Sequence, residues 1–297
     1  MDDQLSRRRF LQGAGVTLGA GLAPAFPAWA AEGDSLTEAF RKEEERLGAR
    51  FGAFIIDTQT GMSWSQRETS RFPMCSTFKV IAASAILARV DRGEDDLATR
   101  IRFDTSDVVP YSPVTEKRAG GDGMTLAEIC EAALTQSDNT AGNILIDRLG
   151  GPSGVTEFAR GMGDQSFRLD RRETALNEAS PGDPRDTTTP AAMAQSLQGL
   201  ILGETLSPAS REQLTDWMLA NRTGDAKLRA GLPNGWRVGD KTGGGSFGTM
   251  NDVAVIWPPK RRPIVASLYM TETEASFDDR NAAFARIGKA IAERIAV

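Results

Sequence analysis

The sequence predicts an α+β protein: an antiparallel sheet flanked by helices, built from both ends of the chain, with an all-helical domain inserted between those ends. Three observations predict it. A hairpin pattern lies near the N-terminus, strand patterns return only late in the chain, and helical patterns dominate the stretch between. A single two-stranded hairpin is marginal in water, so the early hairpin is expected to join the late strands in one sheet. The sheet domain is drawn over residues 31–71 and 222–297 and the helical domain over 72–221. The cleft between them is the natural place for a site.

In chain order, "SRRRFLQGAG" at 6–15 has the layout of a twin-arginine export signal, with Arg7 and Arg8 followed by Phe10 and Leu11. A weakly apolar Gly/Ala-rich stretch follows, and Ala28 and Ala30 suit a small-x-small cleavage site. Residues 1–30 are therefore expected to be a signal peptide, too short in its apolar part to stay as a membrane helix. A periplasmic protein beginning near Ala31 would result. "RFGAFIIDTQTGMSWSQRE" (50–68) alternates apolar residues around a Thr-Gly turn and predicts the hairpin. Helices are expected over 77–91 and over "MTLAEICEAALTQ", where Thr125 and Glu128 are spaced as a capping box. Others are expected over "NTAGNILIDRLGG", ending on glycines, from Pro190 onward, and over 208–220. "WRVGDKTG", "NDVAVIWP" and "RPIVASLYMT" supply the late strands, and 278–295 a last helix.

Composition narrows the chemistry. The 297 residues contain 40% apolar residues, enough for a real core, and a formal charge of −5 with pI near 5.1 offers nothing to nucleic acid. There is no histidine. A Ser-His-Asp triad is therefore excluded, as are His-based zinc sites. Two cysteines are too few for a Cys-rich metal site. Any general base must be Lys, Glu, Asp or Tyr with its pKa moved by its surroundings.

Ser76 and Lys79 stand three apart at the start of the apolar run "PMCSTFKVIAASAILARV". On a helix they share a face one turn apart, so Ser Oγ can meet Lys Nζ. The bland reading is a capping Ser before a surface Lys. "SDN", Ser137 to Asn139, lies between helical segments and reads equally well as a helix N-cap. In "DKTGGG", Lys241, Thr242, Gly243 and Gly244 end a strand. Glycines there suit a turn, or let a ligand approach the backbone while Lys241 and Thr242 meet a carboxylate.

Each motif is weak alone, but in this order and spacing the chain resembles the class A serine β-lactamases. A fourth element sharpens the resemblance. "RRETALNEASPGDPRDTTTP" (171–190) holds Glu173 and Asn177 in a Pro/Gly-rich stretch with Arg171 and Asp186 at its ends. It is similar to the family's Ω-loop, drawn here over 168–187. The resemblance covers nearly all of the chain after the signal and implies a serine β-lactamase/D,D-peptidase-like fold. It implies Ser76 as acyl nucleophile, with Lys79, or Glu173 through water, as its base. Ser137 would relay a proton to the lactam nitrogen with help from Lys241, and Asn139 would bind the substrate amide and orient Lys79. Glu173 and Asn177 would hold the hydrolytic water. The N–H groups of Ser76 and Gly244 would form an oxyanion hole, with Tyr111 packing at the cleft edge. It implies a monomer that needs neither metal nor cofactor, takes small β-lactams such as penicillins and cephalosporins, and has no membrane contact after processing.

Three departures accompany the resemblance. Many relatives have Pro after the Ω-loop Glu, with a cis bond before it; here Thr174 follows Glu173, which leaves that bond's geometry open. Many place an Arg after the KTG strand; here Met250 and Asn251 stand there, and Lys227 is the candidate cation for the substrate carboxylate. Cys75 has no partner on the glycine-rich strand, and Ala83 occupies the position where many relatives pair a Cys with the one matching Cys130, so two free thiols are expected. The alternatives are a D,D-peptidase or a non-catalytic β-lactam sensor. Glu173 with Asn177 argues against the first, and the lack of any apolar segment of 18 residues against the second.

Overall fold

The computed structural model describes residues 35–295; the export signal and the start near Ala31 lie outside the described residues. Helix α1 (Ser35–Leu47) leads into β1 (Arg50–Asp57) and β2 (Ser63–Gln66), the expected hairpin. Two-residue strands tie the middle of the chain together: β3 (Phe72–Pro73) pairs with β6 (Thr187–Thr188), and β4 (Arg100–Ile101) with β5 (Met124–Thr125). The inserted helices are α2 (Phe78–Asp91), α3 (Leu126–Thr135), α4 (Asn139–Arg148), α5 (Pro152–Gly161), α6 (Pro190–Ile201) and α7 (Pro208–Leu219). A short α8 (Leu228–Gly231), strands β7 (Arg237–Gly244), β8 (Met250–Trp257) and β9 (Ile264–Thr271), and α9 (Phe277–Ile295) follow. The main sheet runs β2-β1-β9-β8-β7, every neighbour antiparallel, so β1 joins the late strands as expected.

Local chemistry explains the boundaries. Asp57 closes the hairpin turn by accepting from Gln59 N at 3.0 Å and Thr60 Oγ1 at 2.6 Å. The capping box of α3 forms with both hydrogen bonds, Glu128 N to Thr125 Oγ1 and Thr125 N to Glu128 Oε2. Thr189 and Ser207 cap α6 and α7, each with Pro at the first helical position. Sequence reading missed α1, α5 and α8. In α1 charged residues outnumber Leu36, Phe40 and Leu47, the apolar side chains that it buries, which leaves a thin periodic signal.

The sheet is buried on both faces, which is why Val253–Ile256 of β8 and Ile264–Ala266 of β9 run apolar without alternating. Val253 and Val255 of β8 join the core of the helical domain, while Ala254 and Ile256 join a second core with Phe40, Phe284, Ile287 and Ile291 of α1 and α9. In the helical domain α2 is apolar all round and buried from Phe78 to Ala88, as a central helix must be. Truncating a side chain such as Ile81 or Leu87 to Ala there would cost about 2–5 kcal/mol. The core helix thus holds Lys79 at the sheet edge, directly after the turn that contains Ser76.

Candidate active site

Ser76 sits in a 3₁₀ turn, Cys75–Thr77, that precedes α2; it is not in the helix itself. The turn is pinned from several sides. Thr77 N and Oγ1 both donate to Met74 O, Met74 N donates to Asp186 O at 2.9 Å, and Asn251 Nδ2 donates to Pro73 O at 2.9 Å and Met74 O at 3.0 Å. Asn251 lies on the β8 face that points to the helical domain, so it serves the nucleophile turn and faces away from the substrate-carboxylate side. The first glycine of "GGG" has a steric reason. A Cβ on Gly243 would lie 2.7 Å from Met74 O and 3.3 Å from Cys75 Cβ. No side chain fits between β7 and the turn.

Lys79 is completely buried. Its Nζ lies 2.9 Å from Ser76 Oγ, 2.9 Å from Ser137 O, 2.7 Å from Asn139 Oδ1 and 2.9 Å from Glu173 Oε1. Four oxygens thus surround a group that has at most three N–H bonds. Glu173 Oε1 is also 3.4 Å from Ser76 Oγ, and Asn177 Nδ2 donates to Glu173 Oε2 at 2.6 Å. Asn177 Oδ1 is buried and makes no hydrogen bond among the described residues.

Ser137 holds a left-handed backbone (φ 57°), which turns the chain between α3 and α4. Its Oγ accepts from Lys241 Nζ at 2.9 Å. Lys241 is itself fully buried, and burial, reinforced by the nearby charge of Lys79, holds its pKa well below the usual lysine range. The middle residue of "SDN" is structural. Asp138 caps α4 through Ala141 N at 2.9 Å and accepts from Val114 N, Thr115 N and Thr115 Oγ1, fastening the loop that carries Tyr111. Asn139 Nδ2 donates to Pro110 O and its N to Tyr111 O, so the same motif sets the cleft edge.

The Glu173 loop is closed by a bridge between Arg168 and Thr187 and by Asp186, which accepts from Asp170 N, Arg171 N and Arg171 Nε. The Glu173–Thr174 bond is cis. Sequence reading missed one residue here: Asn143 on α4 clamps the Glu173 peptide from both sides, its Oδ1 accepting from Glu173 N at 2.8 Å and its Nδ2 donating to Glu173 O at 3.0 Å. Position i+4 from Asn139 places it on the same helical face, the one signal that could have found it.

In front of these groups lies a cleft of about 530 Å³ lined by Ser76, Tyr111, Ser137, Asn139, Asn177, Thr242, Gly243, Gly244 and Lys227. Lys79, Glu173 and Lys241 stand behind it. Tyr111 is 61% exposed at the rim. At the other end Thr242 Oγ1 meets Thr223 Oγ1 at 2.5 Å, beside Arg222. Lys227, only 6% exposed, donates to Thr223 O at 3.3 Å and lies 5.3 Å over the ring of Phe277, a cleft residue that sequence reading did not mark. A larger groove of about 710 Å³ lies on the far side of Glu173, but two of its arginines are already paired, Arg172 with Asp147 and Arg148 with Asp95. Cys75 and Cys130 are buried free thiols, and burial pushes both pKa values up. Among the described residues no cluster of acidic or thiol ligands could hold a metal ion.

Comparison with known proteins points to one family. A profile of the β-lactamase enzyme family matches residues 35–295. The chain is 43% identical over 292 residues to β-lactamase AER-1 of Aeromonas hydrophila, covering 98% of this chain and 96% of that one. It is 48% identical over 261 residues to β-lactamase Toho-1 of Escherichia coli, covering 88% and 89%. Among solved structures, the ancestral (GNCA) class A β-lactamase superposes with a TM-score of 0.86 at 58% identity, over 87% of this chain and 99% of that one. The putative class A β-lactamase PenP from Rhodopseudomonas palustris does so with a TM-score of 0.86 at 53% identity, over 88% and 99%.

Proposed function

Because the chain belongs to the class A β-lactamase family, we propose that it hydrolyses the lactam amide of penicillins and cephalosporins through an acyl-enzyme on Ser76, with Glu173 activating the water that releases it. The observation that carries this is the convergence of Lys79 Nζ (2.9 Å) and Glu173 Oε1 (3.4 Å) on Ser76 Oγ in a chain without histidine.

Acylation begins with the Ser76 hydroxyl attacking the lactam carbonyl. Ser137 O and Asn139 Oδ1 can only accept, so they occupy two N–H bonds of Lys79. Neutral Lys79 would then have its lone pair free for the proton of Ser76; Glu173, through a water, is the other possible acceptor. The oxyanion would be met by the N–H groups of Ser76 and Gly244, each worth about 3–4 kcal/mol in such sites. Ser137, its Oγ held in place by Lys241 Nζ, would relay to the departing nitrogen the proton taken from Ser76, so that Ser137 ends with its own hydroxyl proton restored. Tyr111 and Asn139 would hold the acylamino arm. Thr242, Gly243 and Lys227 would receive the substrate carboxylate.

Deacylation needs its own base, because Lys79 lies beside Ser76 and would hold a proton once acylation is complete. Glu173 Oε and the unpartnered Asn177 Oδ1 give a water two acceptors from two sides. That pair also favours a lactamase over a D,D-peptidase, which forms the same acyl-enzyme without rapid release. The N-terminal export pattern of residues 1–30 supports a periplasmic location for this activity.

Mass spectrometry after mixing with a penicillin tests the assignment. Glu173→Ala should carry one intact ligand for minutes or longer, since general-base help is worth about 10²–10⁴-fold, and Ser76→Ala should carry none. Wild-type turnover by Glu173→Ala would overturn the assignment of the water-activating base.

A further inference from the structure

We propose that Phe277 is a specificity-determining residue of the cleft: its ring is the apolar wall against which a cephalosporin lays the substituent carried next to its carboxylate-bearing carbon. This rests on the reading of the cleft as a β-lactam site with the substrate carboxylate at Thr242 and Lys227.

The periodicity of α9 puts Phe277 on the buried side of the helix. Asn281, Phe284 and Gly288 are buried there, and Phe277 precedes them by four, seven and eleven positions, on the same face. Phe284 enters a core with Phe40 and Phe51. Phe277 lies beyond the end of that core and is 60% exposed. A single exposed apolar side chain is ordinary on a protein surface, but this one lines the cleft together with Arg222, Thr223, Lys227 and Thr242. Of the large apolar side chains exposed among the described residues, only Tyr111 and Phe277 line it. Tyr111 stands at the acylamino end and Phe277 at the carboxylate end.

The ring is held in place. Ser276 Oγ caps α9 by accepting from Asp279 N at 3.1 Å, and it donates to Asp279 Oδ2 at 2.7 Å. Arg280 Nε ties back to Ala275 O at 3.1 Å. From the other side α8 packs directly on α9: a Cβ on Gly288 would overlap Leu228 O, and Leu228 follows Lys227 in the chain. Phe277 and Lys227 are thereby fixed relative to each other, with Lys227 Nζ 5.3 Å and the Arg280 guanidinium 5.7 Å from the ring centroid. Cations at such distances are attracted to an aromatic face, which keeps the ring beside the cleft.

Substrate chemistry decides what meets this ring. In a cephalosporin the carboxylate and the variable substituent sit on adjacent carbons of the six-membered ring. In a penicillin the carbon beside the carboxylate-bearing one carries only methyl groups. With the carboxylate at Thr242 and Lys227, the cephalosporin substituent starts beside the lysine over which Phe277 stands. An aryl-bearing substituent would bury apolar surface on both partners and stack on the ring, whereas a methyl group would gain little. The substituent is remote from the scissile amide, so the contact is made alike in ground and transition states and is read in KM.

The test is Phe277→Ala, assayed on three substrates that share one acylamino arm. Two are cephalosporins, one with a styryl group and one with a methyl group beside the carboxylate-bearing carbon; the third is a penicillin. KM for the styryl cephalosporin should rise about five- to tenfold, with kcat changed less than about twofold. KM for the methyl cephalosporin and the penicillin should change less than about twofold. Because the ring is mostly exposed, Tm should stay within about 2 °C of wild type. Phe277→Trp should keep the low KM for the styryl substrate, and a Trp variant that behaves like Ala would overturn the ring contact. If the wild type turns over none of the three substrates, the β-lactam reading itself falls. If it turns over all three and Phe277→Ala leaves the styryl-to-methyl ratio of KM unchanged, Phe277 sets no specificity. An equal rise in KM for all three would also overturn the proposal, since the ring would then act only by positioning Lys227.

Discussion

Asn143→Ala removes both hydrogen bonds that hold the Glu173 peptide. Those bonds, 2.8 and 3.0 Å, join buried groups, and the substitution leaves Glu173 N–H and C=O without their partner. An unsatisfied buried polar group costs about 1–3 kcal/mol, so the pair should cost about 2–6 kcal/mol if water does not enter. At about 2–4 °C per kcal/mol for a domain of this size, Tm should fall by roughly 4–24 °C. The chemical consequence is specific. Ser76 is held by its pinned 3₁₀ turn and Lys79 by α2 and Asn139, so acylation should persist, whereas a displaced Glu173 loses alignment with the water shared with Asn177. A chromogenic cephalosporin should therefore give a burst of one equivalent followed by turnover slowed about 10²-fold or more. Asn143→Asp should fail in the same way, because an ionised carboxylate cannot donate to Glu173 O. Wild-type Tm together with wild-type steady-state turnover would refute the reasoning.

Two other outcomes follow from the same residues. Arg7→Lys with Arg8→Lys should leave active enzyme in the cytoplasm, and continued periplasmic activity in a host without the twin-arginine translocase would refute that route. Glu43 joins α1 to α9; burial alone would raise its pKa, but hydrogen bonds from Arg286 and Arg46 bring it below the usual value. Its stabilisation is present above the unfolded carboxylate pKa near 4.3 and is lost as pH falls through the lower folded value. Glu43→Gln should thus lower stability at neutral pH by about 1–2 kcal/mol and make the acid limb of a Tm-versus-pH curve shallower; an unchanged acid limb would exclude Glu43 as a contributor.

Local chemistry and periodicity carried the sequence a long way. The Thr-Gly hairpin, the Thr125–Glu128 box, Pro190 at the start of α6 and three late strand patterns were enough to predict a sheet built from both chain ends. The order of Ser76–Lys79, Ser137–Asn139, Glu173–Asn177 and Lys241–Gly244 marked the family, because the chemistry of each residue type is local to it. What the tertiary structure alone decided are relations across long separations. Lys241 meets Ser137 across 104 positions, Asn143 grips Glu173 across 30, and Asn251 holds the nucleophile turn across 177. Sequence spacing carries no information about such contacts, since they depend on how two separately formed cores dock. The face on which each strand residue falls was hidden for the same reason. A sheet buried on both sides has no polar side to betray its register, so only packing sends Asn251 towards the nucleophile turn and Asp252 to the opposite face, against Leu228 N.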